Sequence, residues 1–306
     1  MREVFLKRRK SSVLVIILFL IFFLSVFSLS LSYSLRLKVN LFKRYLERLS
    51  YLYITRGILN FVIKELEKTT QERDYDFLGE EPFGRFEENR LLDFYDFKGT
   101  PIRDFKVYIF DEEARLNINT ASSESLKKFL ENFPKLNAQK LVDQILAYKD
   151  SQKAKLFYSI YELALLSGVD KNIFYGEDFN ENGSLEAWED KDGDGKLDLG
   201  IKDFLTIYGE GKVNINNASL EVLKSIEGVS SNLVEEIIKK RPFRSLEELR
   251  DKLNLSEEEF NKLSKKIKLK SNYFRVVVSF YEENFSQEVL AILKRDSSQI
   301  VYLRLF

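Results

Sequence analysis

Cysteine and histidine are both absent from the 306 residues, and there is one methionine, one tryptophan, four prolines and thirteen glycines. Lack of cysteine excludes a disulfide framework and thiol chemistry. Lack of histidine removes most metal, general-base and nucleophile-activating arrangements together. With no phosphate-cradling glycine loop either, the chain offers no catalytic constellation, and it is not expected to be an enzyme. Excess charge is missing too: 48 Lys and Arg balance 48 Asp and Glu. The balance hides an asymmetry. Arg2, Lys7, Arg8, Arg9 and Lys10 against Glu3 give the residues before Ser11 a charge of +4, leaving −4 for the remainder. That is the wrong sign for a dedicated nucleic-acid binder, so DNA is not an expected partner.

Between Ser11 and Leu35 there is no charged residue. At about 1.5 Å per residue, a helix of this length crosses a hydrocarbon core of roughly 30 Å. The basic cluster before it keeps the short N-terminal tail in the cytoplasm and sends the rest across. A cleavable secretory signal is the alternative, but its apolar region is normally shorter, about 7–15 residues. An apolar stripe then continues close to helical spacing through Leu35, Val39, Phe42, Leu46, Leu49, Tyr53, Ile58, Phe61, Ile63 and Leu66. The first glycine is Gly57 and the first proline Pro82. One helix from about Val13 to Lys68 is therefore expected, over about 80 Å long.

The stretch DFNENGSLEAWEDKDGDGKLD, 178–198, carries the main candidate site. Asp178, Asn180, Asn182, Gly183 and Glu189 fill the fixed places of the calcium-loop pattern D-x-[DN]-x-[DN]-G-x₅-E. Ca²⁺ takes six to eight oxygens at about 2.3–2.6 Å from alternate loop positions, and a bidentate carboxylate closes the far side. Ser184 stands at the seventh position, where the ligand is a main-chain carbonyl. A second copy follows directly, with Asp190, Asp192, Asp194 and Gly195 in the front half and Asp198 at the ninth place. Its twelfth position is Ile201, which cannot supply the closing carboxylate. One Ca²⁺ is expected, with a second held more loosely. Eight carboxylates within 178–198 face only Lys191 and Lys196, so they repel one another without a cation. The competing reading is a solvated acidic loop rich in Asx turns. Because the loops abut, they are not a helix–loop–helix sensor pair.

Residues 69–103 read as loop, with one short helix around Glu87–Phe94. Phe105–Phe110 alternates as a strand, Asp111–Glu113 turns it, and Arg115–Asn119 returns as its partner. RLNINTASSESLKKF (115–129) is echoed by KVNINNASLEVLKSI (212–226), with Ser122 and Ser219 as helix N-caps. YSIYELALLSGV (158–169) is echoed by FRSLEELRDKLN (243–254). Two helical units thus bracket the acidic segment. Tyr273–Tyr281, Gln287–Lys294 and Gln299–Phe306 finish the chain as an antiparallel meander.

The junction KRRKSSVLVIILFL resembles the prepilin processing site: a basic leader, a small residue, then an apolar helix. That resemblance implies cleavage by prepilin peptidase between Ser11 and Ser12, and N-methylation of Ser12. The family usually has glycine where Ser11 stands. Most pilins carry Glu at the fifth mature position, here Ile16, and its absence marks the K subunit among type II secretion pseudopilins. The acidic segment with the duplicated NIN motif also resembles that K-type minor pseudopilin. The implied fold is α+β: a long N-terminal transmembrane helix and pilin-like antiparallel sheet, interrupted by a large all-α calcium-binding insertion.

The boundaries that follow are a leader at 1–11, a transmembrane part at 12–35 and a pilin-like helix with first strands at 36–119. The insertion takes 120–270 and the final strands 271–306. The resemblance also implies an inner-membrane protein with a periplasmic C-terminal domain. It would join other minor pseudopilins at a pseudopilus tip and act in protein export.

The second unit resembles the helix-hairpin-helix domain through Leu223, Ile226, Gly228-Val229, Leu233, Ile237 and Ile238. DNA-binding members present backbone amides to a phosphate from a Gly-hydrophobic-Gly hairpin. This chain has Gly228-Val229-Ser230 and lacks the second glycine; Lys239, Lys240 and Arg241 are its nearest cations. Two rivals stay open: a membrane-anchored DNA receptor and a type IV pilus minor pilin.

Overall fold

The structure, a computed structural model, describes residues 2–77, 84–86, 94–95, 101–102, 105–151, 156–166, 168–179, 181, 183, 185–282 and 285–305. The chain divides into two compact units, Met1–Ile54 and Thr55–Phe306. Helix α1 (Arg2–Glu72) supplies all described structure of the first and opens the second. It extends beyond the expected helix at both ends.

Within the first unit, α1 exposes Val13, Leu14, Ile16, Phe19, Phe22, Phe23 and the apolar residues that follow. Among the described residues this is one helix long and apolar enough to cross a membrane. Ser25 in this run donates its hydroxyl to the Ile21 carbonyl at 2.8 Å, so it adds no unsatisfied polar group. From Thr55 onward the pattern changes. Ile58, Leu59, Val62, Ile63 and Leu66 are buried, while Arg56, Asn60 and Lys64 face outward. Spacing of three to four residues places the buried set on one face.

Short strands β1 (Gly84–Phe86), β2 (Phe94–Tyr95) and β3 (Pro101–Ile102) precede β4 (Phe105–Asp111). The helix expected around Glu87–Phe94 lies outside the described residues except for Phe94, which is in β2. Asp111 caps a 3-10 turn, Glu112–Ala114. The insertion then runs through β5 (Leu116–Asn117), α2 (Ser123–Leu130), α3 (Ala138–Ser151), a 3-10 turn at Ile160–Leu165, and α4 (Lys171–Tyr175). After the acidic segment come β6 (Leu205–Thr206), β7 (Val213–Asn214), α5 (Leu220–Ser225) and α6 (Ser231–Lys240). It closes with α7 (Leu246–Leu253), α8 (Glu257–Leu263) and β8 (Ile267–Lys268). The chain ends in β9 (Tyr273–Glu282), β10 (Phe285–Lys294) and β11 (Gln299–Leu305).

The main sheet has the order β1-β4-β9-β10-β11, antiparallel throughout. Register puts Val107, Val278 and Val289 side by side on one face. The opposite face carries Tyr108, Val277 and Leu290, packed with Phe110 and with Tyr208 of the insertion. Tyr208 stacks on Tyr273 at 5.7 Å between ring centres. This second face is therefore the one covered by the insertion. Lys270 ties the sheet's entry to α1, donating to the carbonyls of Thr70 at 3.1 Å and Arg73 at 2.7 Å.

One expected strand pairing is wrong. Arg115–Asn119 does not fold back on β4; β5 pairs in parallel with β6, and β7 pairs in parallel with β8. The turn Glu112–Ala114 redirects the chain into the insertion, so each NIN motif closes its own helical unit.

The repeat holds in detail. Ser122 and Ser219 accept from the amides of Ser125 and Val222, as N-caps should. Asn119 brackets Phe157, donating to its carbonyl at 3.0 Å and accepting from its amide at 2.8 Å. Asn216 does the same to Phe243, at 2.9 and 2.8 Å. These bonds pair Phe157 with Phe243, Ser159 with Ser245 and Glu162 with Glu248. The echo read from Tyr158 against Phe243 is one residue out of step.

Asp111 joins the second unit's parts at a buried junction. Its Oδ2 accepts from Asn214 and Asn217, each at 2.7 Å, and from Ser271 at 2.9 Å. Asp76 lies nearby, with Oδ1 and Oδ2 both 2.9 Å from the Arg295 guanidinium. Burial pushes the Asp111 carboxyl up to about 7. A carboxyl raised on folding contributes stability below its unfolded value and loses it as pH rises through the folded one. We therefore expect Asp111→Asn to gain on the wild type by about 2 kcal/mol between pH 5 and pH 8. Denaturant unfolding of the detergent-solubilised chain in chelator measures this; a stability difference independent of pH contradicts it.

Candidate functional site

The acidic segment folds as two consecutive loops. In the first, Asp178 is buried at 4% exposure; its Oδ2 accepts the Gly183 amide at 3.1 Å, while Oδ1 is buried without a hydrogen-bond partner. An orphaned carboxylate oxygen in the interior costs free energy unless a cation or donor meets it. Burial, with Asp203 nearby, pushes this carboxyl up to about 6. Gly183 has φ of +70°, which a side chain resists, and a Cβ there would lie 3.0 Å from the Phe110 ring. Glu189 is buried at 1% exposure and turned back into the loop, accepting from Phe179 N at 2.8 Å and Glu186 N at 3.3 Å. Burial raises its carboxyl as well. Asn180, Asn182 and Ser184 lie outside the described residues.

A buried ion pair backs this loop. Lys202, at 1% exposure, donates to the Asp178 carbonyl at 2.6 Å and to Asp203 Oδ1 at 2.7 Å. The ammonium thereby fixes the backbone from which the Asp178 carboxylate springs.

In the second loop, Asp190 accepts from Gly193 N at 2.6 Å and Gly195 N at 3.2 Å. Asp192 accepts from Asp194 N, and Asp194 from Lys196 N. These are Asx turns, so this loop holds its shape through its own amides. The structure brings Asp190 and Asp192 together with Glu177, one ligand oxygen from each lying within 4.8 Å of the others. Asp194 and Asp198 are exposed and outside that group. Glu177 was not legible in the sequence, because it precedes the first loop and fills no place in either pattern. The structure brings it in through the bridge Gly176–Leu199, with its own Oε1 and Oε2 accepting from Lys191 N and Asp198 N.

The donor set is all oxygen, which suits a hard divalent cation over a soft one. Asp178 and Glu189 fit the first and last places of a calcium loop, and Gly183 makes its turn. A bound cation would supply the positive charge that these buried carboxylates lack.

The second helical unit presents a different surface. Ser230 caps α6 by accepting Leu233 N. Lys240 pairs with Glu236 and donates to the Lys252 carbonyl at 2.7 Å, and Arg241 donates to the Ala218 carbonyl at 2.9 Å. Two of the three cations nearest the hairpin are thus engaged within the protein.

The model of the helix-hairpin-helix motif family matches residues 209–268, the second helical unit. The sequence matches no curated protein. Among solved structures, one chain of the GspK–GspI–GspJ complex from the type 2 secretion system of enterotoxigenic Escherichia coli is similar in fold. It is 11% identical with a TM-score of 0.56, and the match covers 85% of this chain and 97% of that one. At that identity the likeness concerns the fold alone. The fold is α+β and pilin-like: a long N-terminal apolar helix and an antiparallel sheet, interrupted by a mostly helical insertion.

Proposed function

We propose that the chain is a K-type minor pseudopilin of a type II secretion system, anchored in the inner membrane and placed at the pseudopilus tip, where it acts in protein export. The observation that carries this reading is the combination in one chain of α1, the β4-β9-β10-β11 sheet and the two-repeat insertion between β4 and β9. The similarity in fold to a chain of the GspK–GspI–GspJ complex supports it, and points to other minor pseudopilins as partners. In this reading residues 1–11 are a leader removed between Ser11 and Ser12 by prepilin peptidase, and 12–35 span the membrane. In this reading the bulk of the insertion suits a terminal position in the fibre. The role is structural rather than enzymatic.

The experiment is co-expression of the full chain with the other minor pseudopilins of its system, followed by size-exclusion chromatography in detergent. A stable complex of defined stoichiometry is expected, with no retardation of duplex DNA at physiological salt. A chain that stays alone and binds DNA more tightly than about 1 µM, with a steep salt slope, instead supports the DNA-receptor reading.

Calcium belongs to the same proposal. Asp178, Asn180, Asn182 and Glu189, with the Ser184 carbonyl, hold one Ca²⁺; the Asp190–Asp198 loop takes a second more weakly. Extracellular modules of this kind have dissociation constants of about 10⁻⁴–10⁻³ M. At ten times that constant, about 1–10 mM, the ion stabilises the fold by about 1.4 kcal/mol. Millimolar calcium should raise the melting temperature of the wild type, and Asp178→Ala should lose that rise while melting nearly as the wild type does in chelator. Equal wild-type melting with calcium and with chelator contradicts the assignment.

A further inference from the structure

The first loop carries a glutamate that its ligand pattern does not use. Glu181 stands at the fourth position, at φ +63°, and is buried at 5% exposure. Its Oε2 pairs with the Arg275 guanidinium of β9 and its Oε1 accepts the Tyr161 hydroxyl of the first helical unit. Arg275 is itself buried, and its Nε donates to Glu112 Oε2 at 3.1 Å. Glu112 accepts in turn from the Thr206 hydroxyl at 2.8 Å. The ring of Tyr161 lies 4.7 Å from the Arg304 guanidinium of β11. The partner set therefore comes from the sheet, the turn after β4 and the helical insertion, and it meets at one side chain inside the loop.

Two further observations place the loop on the sheet. Phe110, on the covered face of β4, lies so close that a Cβ at Gly183 would come within 3.0 Å of its ring. Arg275 and Phe110 are register partners across β9 and β4, so both contacts fall at one level of the sheet. The first loop is seated on the pilin-like sheet, where its position in the sequence suggests only a link between the two helical repeats.

From this geometry we infer that Glu181 is a positioning residue: held by Arg275 and Tyr161, it fixes the first cation loop against the sheet and couples cation binding to the order of β9. The inference rests on the calcium reading of that loop. Its physical basis is that the two ligand positions flanking Glu181 share its backbone. Anchoring the residue between them prepays the ordering that binding would otherwise require. Coupling of this kind is reciprocal, so an occupied loop holds Arg275 more firmly.

The sign of one substitution separates positioning from simple charge. Arg275→Gln removes a positive charge near the cation, so through-space electrostatics predicts tighter binding. Loss of positioning predicts weaker binding, by about tenfold, as for other supports behind metal ligands. Tyr161→Phe changes no charge and should weaken binding by about fivefold, the equivalent of one hydrogen bond.

Calcium titration of the detergent-solubilised full chain measures both, read by the fluorescence of Trp188, the sole tryptophan, which lies within the loop and packs edge-on to Phe179. Hydrogen exchange should show calcium slowing the amides of β9 in the wild type and less so in Tyr161→Phe. Should Arg275→Gln fail to fold, Tyr161→Phe decides alone. Wild-type calcium affinity in both variants, or tighter binding in Arg275→Gln, overturns the inference while leaving the calcium site standing. No saturable binding by the wild type overturns the calcium reading and this inference with it.

Discussion

A guanidinium without access to water dictates how three parts of the second unit meet. Arg275 projects from the middle of the sheet into the covered face, and an unpaired charge there would cost several kcal/mol. Glu112 and Glu181 answer it from opposite sides. Burial alone would raise the Glu181 carboxyl, yet Arg275 and Lys202 hold it down at about 2, and Arg275 is raised in return. The pair also needs its remaining oxygens satisfied, which Tyr161 and Thr206 accomplish. A charge cluster completed by contributions from β9, the Glu112 turn, the acidic loop, the first repeat and β6 makes the insertion part of the sheet's own packing.

This explains how a pilin-like sheet tolerates so long an interruption between β4 and β9. Both ends of the insertion are pinned where β4 ends and β9 begins. Asp111 at its start receives donors from Asn214, Asn217 and Ser271, and Lys268 at its end pairs with Glu113 at 2.8 Å. The duplicated asparagines then let each helical unit close on itself. Asn216 is fully buried in this role, and its partner amide and carbonyl at Phe243 would otherwise be unsatisfied.

Much of this was legible because local chemistry announced it. An uncharged run after a basic cluster implies the apolar helix, alternation in 273–281 implies a strand, and Ser122 and Ser219 announce helix starts. The parallel pairing of β5 with β6 was not legible. Arg115–Asn119 has strand composition, but its partner stands far along the chain, beyond any hairpin signal. The one-residue slip in the second echo has a different cause: it matches Tyr158 to Phe243 because both are aromatic, whereas FYSIYEL (157–163) against FRSLEEL (243–249) already gives the register that the Asn119–Phe157 bracket shows. Within the acidic segment, the pattern identifies Asp178 and Glu189 but is silent on Glu177, Lys202 and Glu181. Those three act through contacts with residues that the loop spacing does not encode.

The central claim is the proposal that the chain ends a fibre of related subunits. Gold-labelled antibody against the insertion, applied to assembled fibres and viewed by electron microscopy, tests this directly. Label confined to one end of each fibre is the result predicted here. Label distributed along the shaft, or fibres that never carry it, would contradict a tip subunit.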